Sequence, residues 1–354
     1  MSKITIIAEI GCNHNGDIEL AKRLMEAAVR SGADGVKFQS FVPELLVSAY
    51  APKANYQKRT EESDTQLEML KKLALSEEEY RQLVSYAAEL GTQIFSTPFD
   101  MESVAFLEKM SQHIWKIPSG EITNLPMLEM IASIQCPGKQ IILSTGMSTA
   151  EEIRRAVDVL SQSADTEFTI LHCNTQYPTP PQDMNLRAMM ALCELAPGWQ
   201  IGLSDHSQGT IAAVAAVAMG AKFLEKHFTL DHNFPGPDHM ASATEAEMTQ
   251  LCEDVHKVEL MLGRSEKHVT ASEKENLFIA RKSIVASRHI ARGELLTQHN
   301  ITCKRPGNGI SPMHWNLVLG TTAERDYMPD EQITYKEVAR EDEVPCNHPS
   351  QKRL

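Results

Sequence analysis

The sequence predicts a (β/α)8 barrel followed by a small, mostly β domain. Eight short β-rich runs recur along residues 1–262, each opening apolar and closing polar. Helical stretches separate them, and a regular strand-then-helix alternation of this length is the signature of a barrel. After Gly263 the alternation stops, and turns and short β-like runs take over. The alternative is an open doubly wound sheet. No Gly-x-Gly-x-x-Gly follows the first strand, which weakens a dinucleotide-binding version of it.

The eight runs are "ITIIAEIG", "GVKFQS", "TQIFSTPF", "IWKIPSGE", "QIILSTGM", "FTILHCN", "QIGLSDH" and "KFLEKHFT". Between the first two, "DIELAKRLMEAAVRSGA" places Ile18, Ala21, Leu24, Met25 and Ala28 on one helical face. "SEEEYRQLVSYAAELG" opens with Ser76 and Glu79, a capping box, and stops at Gly91. "STAEEIRRAVDVLSQ" opens in the same way with Ser148 and Glu151. The insertion 42–64 is too long for an ordinary βα loop and suits a substrate-binding role. Residues 263–280 read as a linker, 281–340 as the small domain, and 341–354 as a frayed tail.

Bulk composition narrows the function. The chain has 354 residues, 42% hydrophobic, with a net charge of −13. No broad basic stripe offsets that acidity, so nucleic acid is not an expected partner. There is no run of ~18 apolar residues for a membrane span, and the N-terminus lacks an apolar signal-peptide core. Seven cysteines without CxxC spacing point to a reducing cytoplasm rather than a disulfide framework. A small anionic substrate remains open, because one or two local cations suffice to bind it.

In a barrel, chemistry sits at the C-terminal ends of the strands. Those ends offer Glu9; Lys37; Thr97; Lys116, Ser119 and Glu121; Ser144; Asn174; Ser204 and His206; and Glu225 and His227. Any one polar residue there is explained by approach to solvent; eight ends converging on one rim point to a site. His206 and His227 close consecutive strands, which lie ~4.8 Å apart. Two imidazoles at matching heights suit one Mn, Fe, Co or Zn ion better than Ca. From spacing alone, a shared ion and two hydrogen-bonded rim histidines are both consistent. His232 and His239 fall in the turn-rich loop that follows and read as solvated and structural. Glu9 and Glu121 lie on opposite sides of the barrel, placed for acid–base work or for holding a hydroxyl. Lys37 and Lys116 are candidate phosphate or carboxylate contacts. Arg305, in "RPGNG", reads as part of a tight turn unless it serves a distant site or another subunit.

"AEIGCNHNG", "VKFQ", "FSTPFD", "KIPSGEITNLP", "ILSTGM", "LHCNTQYPTP", "GLSDHS", "EKHFTLD", "PGPDH" and "KRPGNGISP" together resemble the bacterial sialic acid synthases. The likeness runs from about residue 5 to residue 340 and is strongest to the N-acetylneuraminate synthases, with the legionaminate synthases near relatives. It implies a (β/α)8 barrel with a C-terminal antifreeze-like (SAF) domain and a domain-swapped homodimer. It implies condensation of phosphoenolpyruvate with N-acetylmannosamine and water, releasing phosphate by C–O cleavage. The alternative sugar is 2,4-diacetamido-2,4,6-trideoxymannose. The resemblance also implies a divalent ion, usually Mn or Mg with Co as a further choice, held by His206 and His227. Glu9 and Glu121 become the catalytic carboxylates. Lys37, Thr97, Lys116, Ser119, Ser144 and Ser204 fall around phosphoenolpyruvate. Asn55, Phe99, Asn174, Tyr177, Asp238 and Arg305 fall around the sugar, Arg305 from a partner subunit. "CNTQYPTP" departs from the "CTNIYPTP" of some members, so Asn174 stands in from one position earlier. Two other classes compete: a non-catalytic sugar-binding barrel and a metal-dependent hydrolase that works without phosphoenolpyruvate.

Overall fold

The computed structural model describes residues 3–51 and 65–334. The chain divides into two compact units, Met1–Gly263 and Arg264–Leu354. The first is built on eight parallel strands: β1 Thr5–Gly11, β2 Gly35–Ser40, β3 Gln93–Pro98, β4 Ile114–Ile117, β5 Gln140–Ser144, β6 Glu167–Cys173, β7 Gln200–Asp205 and β8 Phe223–His227. Their order is β3-β2-β1-β8-β7-β6-β5-β4, so the first and last strands pair and the sheet curls into a (β/α)8 barrel. No backbone ladder joins β3 to β4 among the described residues. A side chain bridges that seam instead. The Gln112 amide accepts from the Ser96 N–H at 2.8 Å and donates to the Ser96 carbonyl at 2.9 Å.

Side chains alternate across a strand with period two, and this sets the layers of the barrel. One set of alternate residues packs outward under the helices: Ile6, Ala8 and Ile10 of β1, Val36 and Phe38 of β2, Trp115 and Ile117 of β4, Leu203 of β7 and Leu224 of β8 belong to the main core. The other set points into the barrel. Its lower layer is a separate apolar cluster of Ile7, Phe95, Ile114, Ile142, Leu171 and Phe223. Gly202 is small because this floor is full: a Cβ there would stand 2.3 Å from the Phe223 carbonyl oxygen and 2.5 Å from Leu171 Cδ2. Two residues further along the same strands the inward positions become polar, namely Glu9, Thr97, Lys116, Ser144, Ser204 and Glu225.

Helix Ile18–Arg30 buries Ala21, Leu24, Met25 and Ala28 as its periodicity predicts. Ser76 and Glu79 form the expected capping box, and Gly91 ends that helix in the left-handed conformation at φ 67°. The second box is one residue later than expected. Ser148 Oγ donates to the Gly146 carbonyl at 3.0 Å, so Thr149 takes the cap with Glu152. The described part of the long insertion carries one short helix, Pro43–Leu46, and a second, Gln66–Leu73, follows the insertion. Asn55 lies outside the described residues.

In the second unit, Ser283–Ala286 (β9) and Ile301–Lys304 (β10) pair antiparallel over a small core that includes Ile284, Ile301, Ile310 and Tyr327. Residues 263–280 are not a plain linker. Thr270 and Glu273 form a capping box, and a helix follows at Lys274–Ala280. Among the described residues no helix is long and apolar enough to cross a membrane.

Candidate active site

The polar inward layer opens into a cleft of about 370 Å³ at the C-terminal ends of the strands. Glu9, Lys37, Thr97, Phe99, Lys116, Ser119, Glu121, Ser144, Tyr177, Ser204, His206, His227 and Asp238 all line it. Strand alternation accounts for the gathering. Lys37 follows Gly35 and Glu225 follows Phe223 by two residues, so each rises from the apolar floor on the inner face.

At the base of the cleft are four buried charges, Glu9, Lys37, Lys116 and Glu225, none more than 4% exposed. Lys37 Nζ stands 2.6 Å from Glu9 Oε2 and 3.9 Å from Glu225 Oε1. It also donates to Thr97 Oγ1 at 2.9 Å. Lys116 Nζ is 3.5 Å from the same Glu225 oxygen. Ser204 Oγ donates to Glu225 Oε1 at 3.1 Å, and Gln39 Nε2 to Glu9 Oε1 at 3.0 Å. Burial pushes the Glu9 carboxyl up to about 7, against the pull of Lys37. Burial also works against charge on Lys37, but the Glu225 and Glu9 carboxylates outweigh it and hold the ammonium above its ordinary value. For Lys116 burial wins and the group is lowered, Glu225 offsetting only part. Glu225 resists its own burial because Lys116 and Lys37 hold it below the ordinary carboxylate value.

Above this base lie the two imidazoles, with ring centroids 5.2 Å apart. His206 Nδ1 is 2.5 Å from the Asn174 carbonyl, which fixes the N–H there and turns Nε2 toward Tyr177 Oη at 3.2 Å. Tyr177 stacks on the His206 ring at 4.1 Å. Burial first, and His206 second, hold His227 well below its ordinary value, so it is neutral. Its Nδ1 is buried without a hydrogen-bond partner, and Asp238 Oδ2 lies 3.7 Å away. Burial pushes Asp238 up to about 6.

A neutral imidazole with an orphaned buried nitrogen, beside another whose tautomer is fixed by a carbonyl, is a donor pair that fits a divalent ion. Among the described residues no third His, Cys, Asp or Glu completes a metal cluster. The pair therefore suits an ion whose remaining positions are open to water or substrate.

On the far wall, Glu121 Oε2 accepts from Asn124 Nδ2 at 2.6 Å. Ser119 Oγ accepts from the Gly146 N–H at 2.8 Å, while Ser144 Oγ is buried without a partner. Two expected residues are placed differently. The Asn174 side chain does not line the cleft: Nδ2 donates to the Asp183 carbonyl at 3.2 Å and Oδ1 accepts from the Gln176 N–H at 2.8 Å. Asn174 acts on the site through its carbonyl. Arg305 belongs to the second unit, where its Nε donates to the Ala280 carbonyl at 3.0 Å. Glu225, which sequence reading places at a strand end without a role, is the hub of the base. Its signal is the spacing in "FLEKH": two residues before His227 it must share the inner face. His232 stands apart, paired with Glu247 Oε2 at 3.1 Å, and His239 is a structural loop residue bonded to Thr229 Oγ1 at 2.7 Å.

Comparison with known proteins places this geometry in a family. The model of the NeuB family matches residues 24–267, and the SAF domain model matches residues 281–339. The chain is 46% identical to the N,N'-diacetyllegionaminic acid synthase of Campylobacter jejuni, over 94% of this chain and 99% of that one. It is 34% identical to the human N-acetylneuraminate-9-phosphate synthase, over 93% of this chain and 92% of that one. The solved N-acetylneuraminic acid synthetase of Leptospira borgpetersenii superposes with a TM-score of 0.68 at 32% identity, covering 78% of this chain and 90% of that one. The chain belongs to the NeuB family of sialic acid synthase-type enzymes and carries the SAF domain at its C-terminal end.

Proposed function

We propose that this enzyme condenses phosphoenolpyruvate with 2,4-diacetamido-2,4,6-trideoxymannose and water, giving N,N'-diacetyllegionaminate and phosphate. The observation that carries the choice of sugar is the 46% identity to a diacetyllegionaminic acid synthase over nearly the full length of both chains. The Legionella pneumophila enzyme of that name is 42% identical, against 34% for the N-acetylneuraminate-9-phosphate synthases. Reading the motifs alone places N-acetylmannosamine first; these identities favour the diacetamido sugar.

The base of the cleft suits the anionic partner. Lys37 and Lys116 hold the carboxylate and phosphate of phosphoenolpyruvate, with Ser119, Ser144 and Ser204 as hydroxyl partners. Ser144 Oγ, buried and unpartnered, is poised to donate to an incoming oxygen. The two ammonium groups are matched by Glu9 and Glu225, so the base has no spare positive charge for a ligand bearing about three negative charges. His206 and His227 would hold a divalent ion, Mn being the expected one, which when bound would add positive charge and Lewis-acid polarisation of the sugar carbonyl. Glu9, tied to Gln39 and Lys37, is placed to handle the proton of the attacking water. Glu121, fixed by Asn124, holds a sugar hydroxyl from the opposite wall, and Phe99 is an apolar contact of the sugar. Asp238 and Tyr177 bracket the sugar near the imidazoles. Arg305 is assigned, on the resemblance, to the sugar site of a second copy of the chain in a homodimer.

The test is competition. With limiting phosphoenolpyruvate, Mn and equal amounts of the two sugars, the product mass should be that of diacetyllegionaminate in at least tenfold excess. A majority of N-acetylneuraminate would return the choice to N-acetylmannosamine. Turnover of a sugar without phosphoenolpyruvate would point to a hydrolase, and binding without turnover to a sugar-binding barrel. For the dimer, mixing inactive Arg305→Ala and Lys116→Met chains should restore activity, because one barrel of each mixed dimer is then intact. No restoration would count against the shared site.

A further inference from the structure

The cleft has a second chemical character. Lys37 and Gln39 of β2 lead to Phe41 just past that strand's end, and Thr97 of β3 leads to Phe99 just past its end, so charge at the base gives way to apolar rings. Phe41 and Phe99 meet edge to face at 6.4 Å. The short helix inside the insertion adds Leu46, with Val47 at its end, and the helix that follows the insertion adds Met69 and Leu70 to the same wall. Phe41, Met69 and Leu70 are at most 9% exposed, so this is a packed surface facing the cleft rather than a loose flap. Hydroxyl-rich sugars have little to gain there. The side chains of Phe41, Leu46, Val47, Met69, Leu70 and Phe99 offer a sugar hydroxyl no hydrogen bond, so one seated against them keeps its desolvation cost; Gln39, Gln66 and Thr97 are the polar residues of the cleft nearest to them in the chain.

We propose that this apolar wall reads the 6-deoxy end of the sugar, seating the C6 methyl group and excluding a C6 hydroxyl. The inference rests on the acceptor sugar proposed above and deepens it. The aldehyde carbon reacts over the charged base and the imidazoles, so the opposite end of the six-carbon chain is directed toward the mouth, where the apolar residues stand. The 2,4-diacetamido-2,4,6-trideoxy sugar ends there in a methyl group; N-acetylmannosamine ends there in a hydroxyl. The two ends differ by one hydroxyl, and an apolar pocket discriminates against an added hydroxyl by roughly 10²-fold in kcat/KM.

The test isolates C6. Wild-type enzyme is assayed with N-acetylmannosamine and with 2-acetamido-2,6-dideoxymannose, which differ only at that carbon. The 6-deoxy sugar should be preferred at least about tenfold in kcat/KM. In Leu46→Asn and, separately, Phe99→Asn, the ratio should fall to within about threefold of unity, and in Leu46→Met it should be kept. A ratio within one protein is insensitive to the fraction folded, so partial misfolding does not imitate the result. Should the asparagine variants not turn over, the two sugars' dissociation constants are compared in their place. A wild-type ratio near one, or a wild-type preference that survives both asparagine substitutions, overturns the proposal. The diacetamido sugar is absent from this pair, so failure here is separate from failure of the functional reading, which the two-sugar competition decides.

Discussion

Two buried charged networks stand on opposite faces of the same strands. On the outer face, Lys226 Nζ pairs with Asp205 Oδ2 at 2.9 Å and donates to the Ser207 carbonyl at 2.5 Å. Asp205 Oδ1 accepts from the Ser207 N–H at 2.8 Å and from Ser207 Oγ at 2.7 Å. That network is closed. On the inner face, one residue away on β8, Glu225 shares Lys37 and Lys116, and its Oε2 is buried without a partner, as are Ser144 Oγ and His227 Nδ1. That network is open toward the cleft. Burial and charge are the same in both; satisfaction differs. A closed polar network fixes a fold, whereas one with unmet donors and acceptors beside a cavity is completed by a ligand.

The largest expected effect breaks the closed network. Asp205→Ala leaves the Lys226 ammonium buried and unpaired and should cost about 3–5 kcal/mol of stability, read by denaturant unfolding. Activity per folded molecule should stay within about threefold of wild type. Lys116→Met breaks the open network and should do the reverse: kcat/KM with phosphoenolpyruvate falls about 10²–10³-fold, with a smaller loss of stability than Asp205→Ala. Equal stability losses in the two variants would dissolve the distinction.

A third prediction concerns pH. His14 is buried beside Phe38, its Nδ1 accepts from the Gly16 N–H at 3.0 Å, and burial holds it down to about 4. The unfolded chain takes up that proton near pH 6.5 while the folded chain resists until about 4. Its contribution is therefore present above pH 6.5 and is lost as pH falls toward 4. His14→Asn should flatten the decline of stability across that window by about one proton; an unchanged slope would remove His14 from the account. The smallest effect is at the β3–β4 seam. Gln112→Ala strips both Ser96 backbone groups of their partner and should cost about 2 kcal/mol, with amide exchange accelerated at Ser96 before the rest of β3.

Most of the barrel is legible in the sequence because each strand carries its own signal: an apolar lower half, a polar end and a helix with one apolar face behind it. The site is legible for the same reason, since Glu9, Lys37 and Lys116 are inward positions one layer above an apolar floor and His206 and His227 are one layer higher. What escapes is three-dimensional. Nothing local in "FLEKH" distinguishes Glu225, which serves the cleft, from Lys226, which serves the outer network, until the face of each is known. The Asn174 side chain competes for its own loop's backbone, which spacing cannot reveal. The Gln112 bridge across the seam depends on two strands that do not pair. The apolar wall joins Phe41 and Phe99 to two short helices, one inside the insertion and one after it, that meet only after folding.

The central claim is that the open inner network is a phosphoenolpyruvate-condensing centre. Phosphoenolpyruvate labelled with ¹⁸O at the oxygen bridging carbon and phosphorus tests it most directly. In the presence of Mn and the diacetamido sugar, the released phosphate should carry the label, and without sugar no phosphate should appear. Unlabelled phosphate, or release that is independent of sugar, would contradict the account.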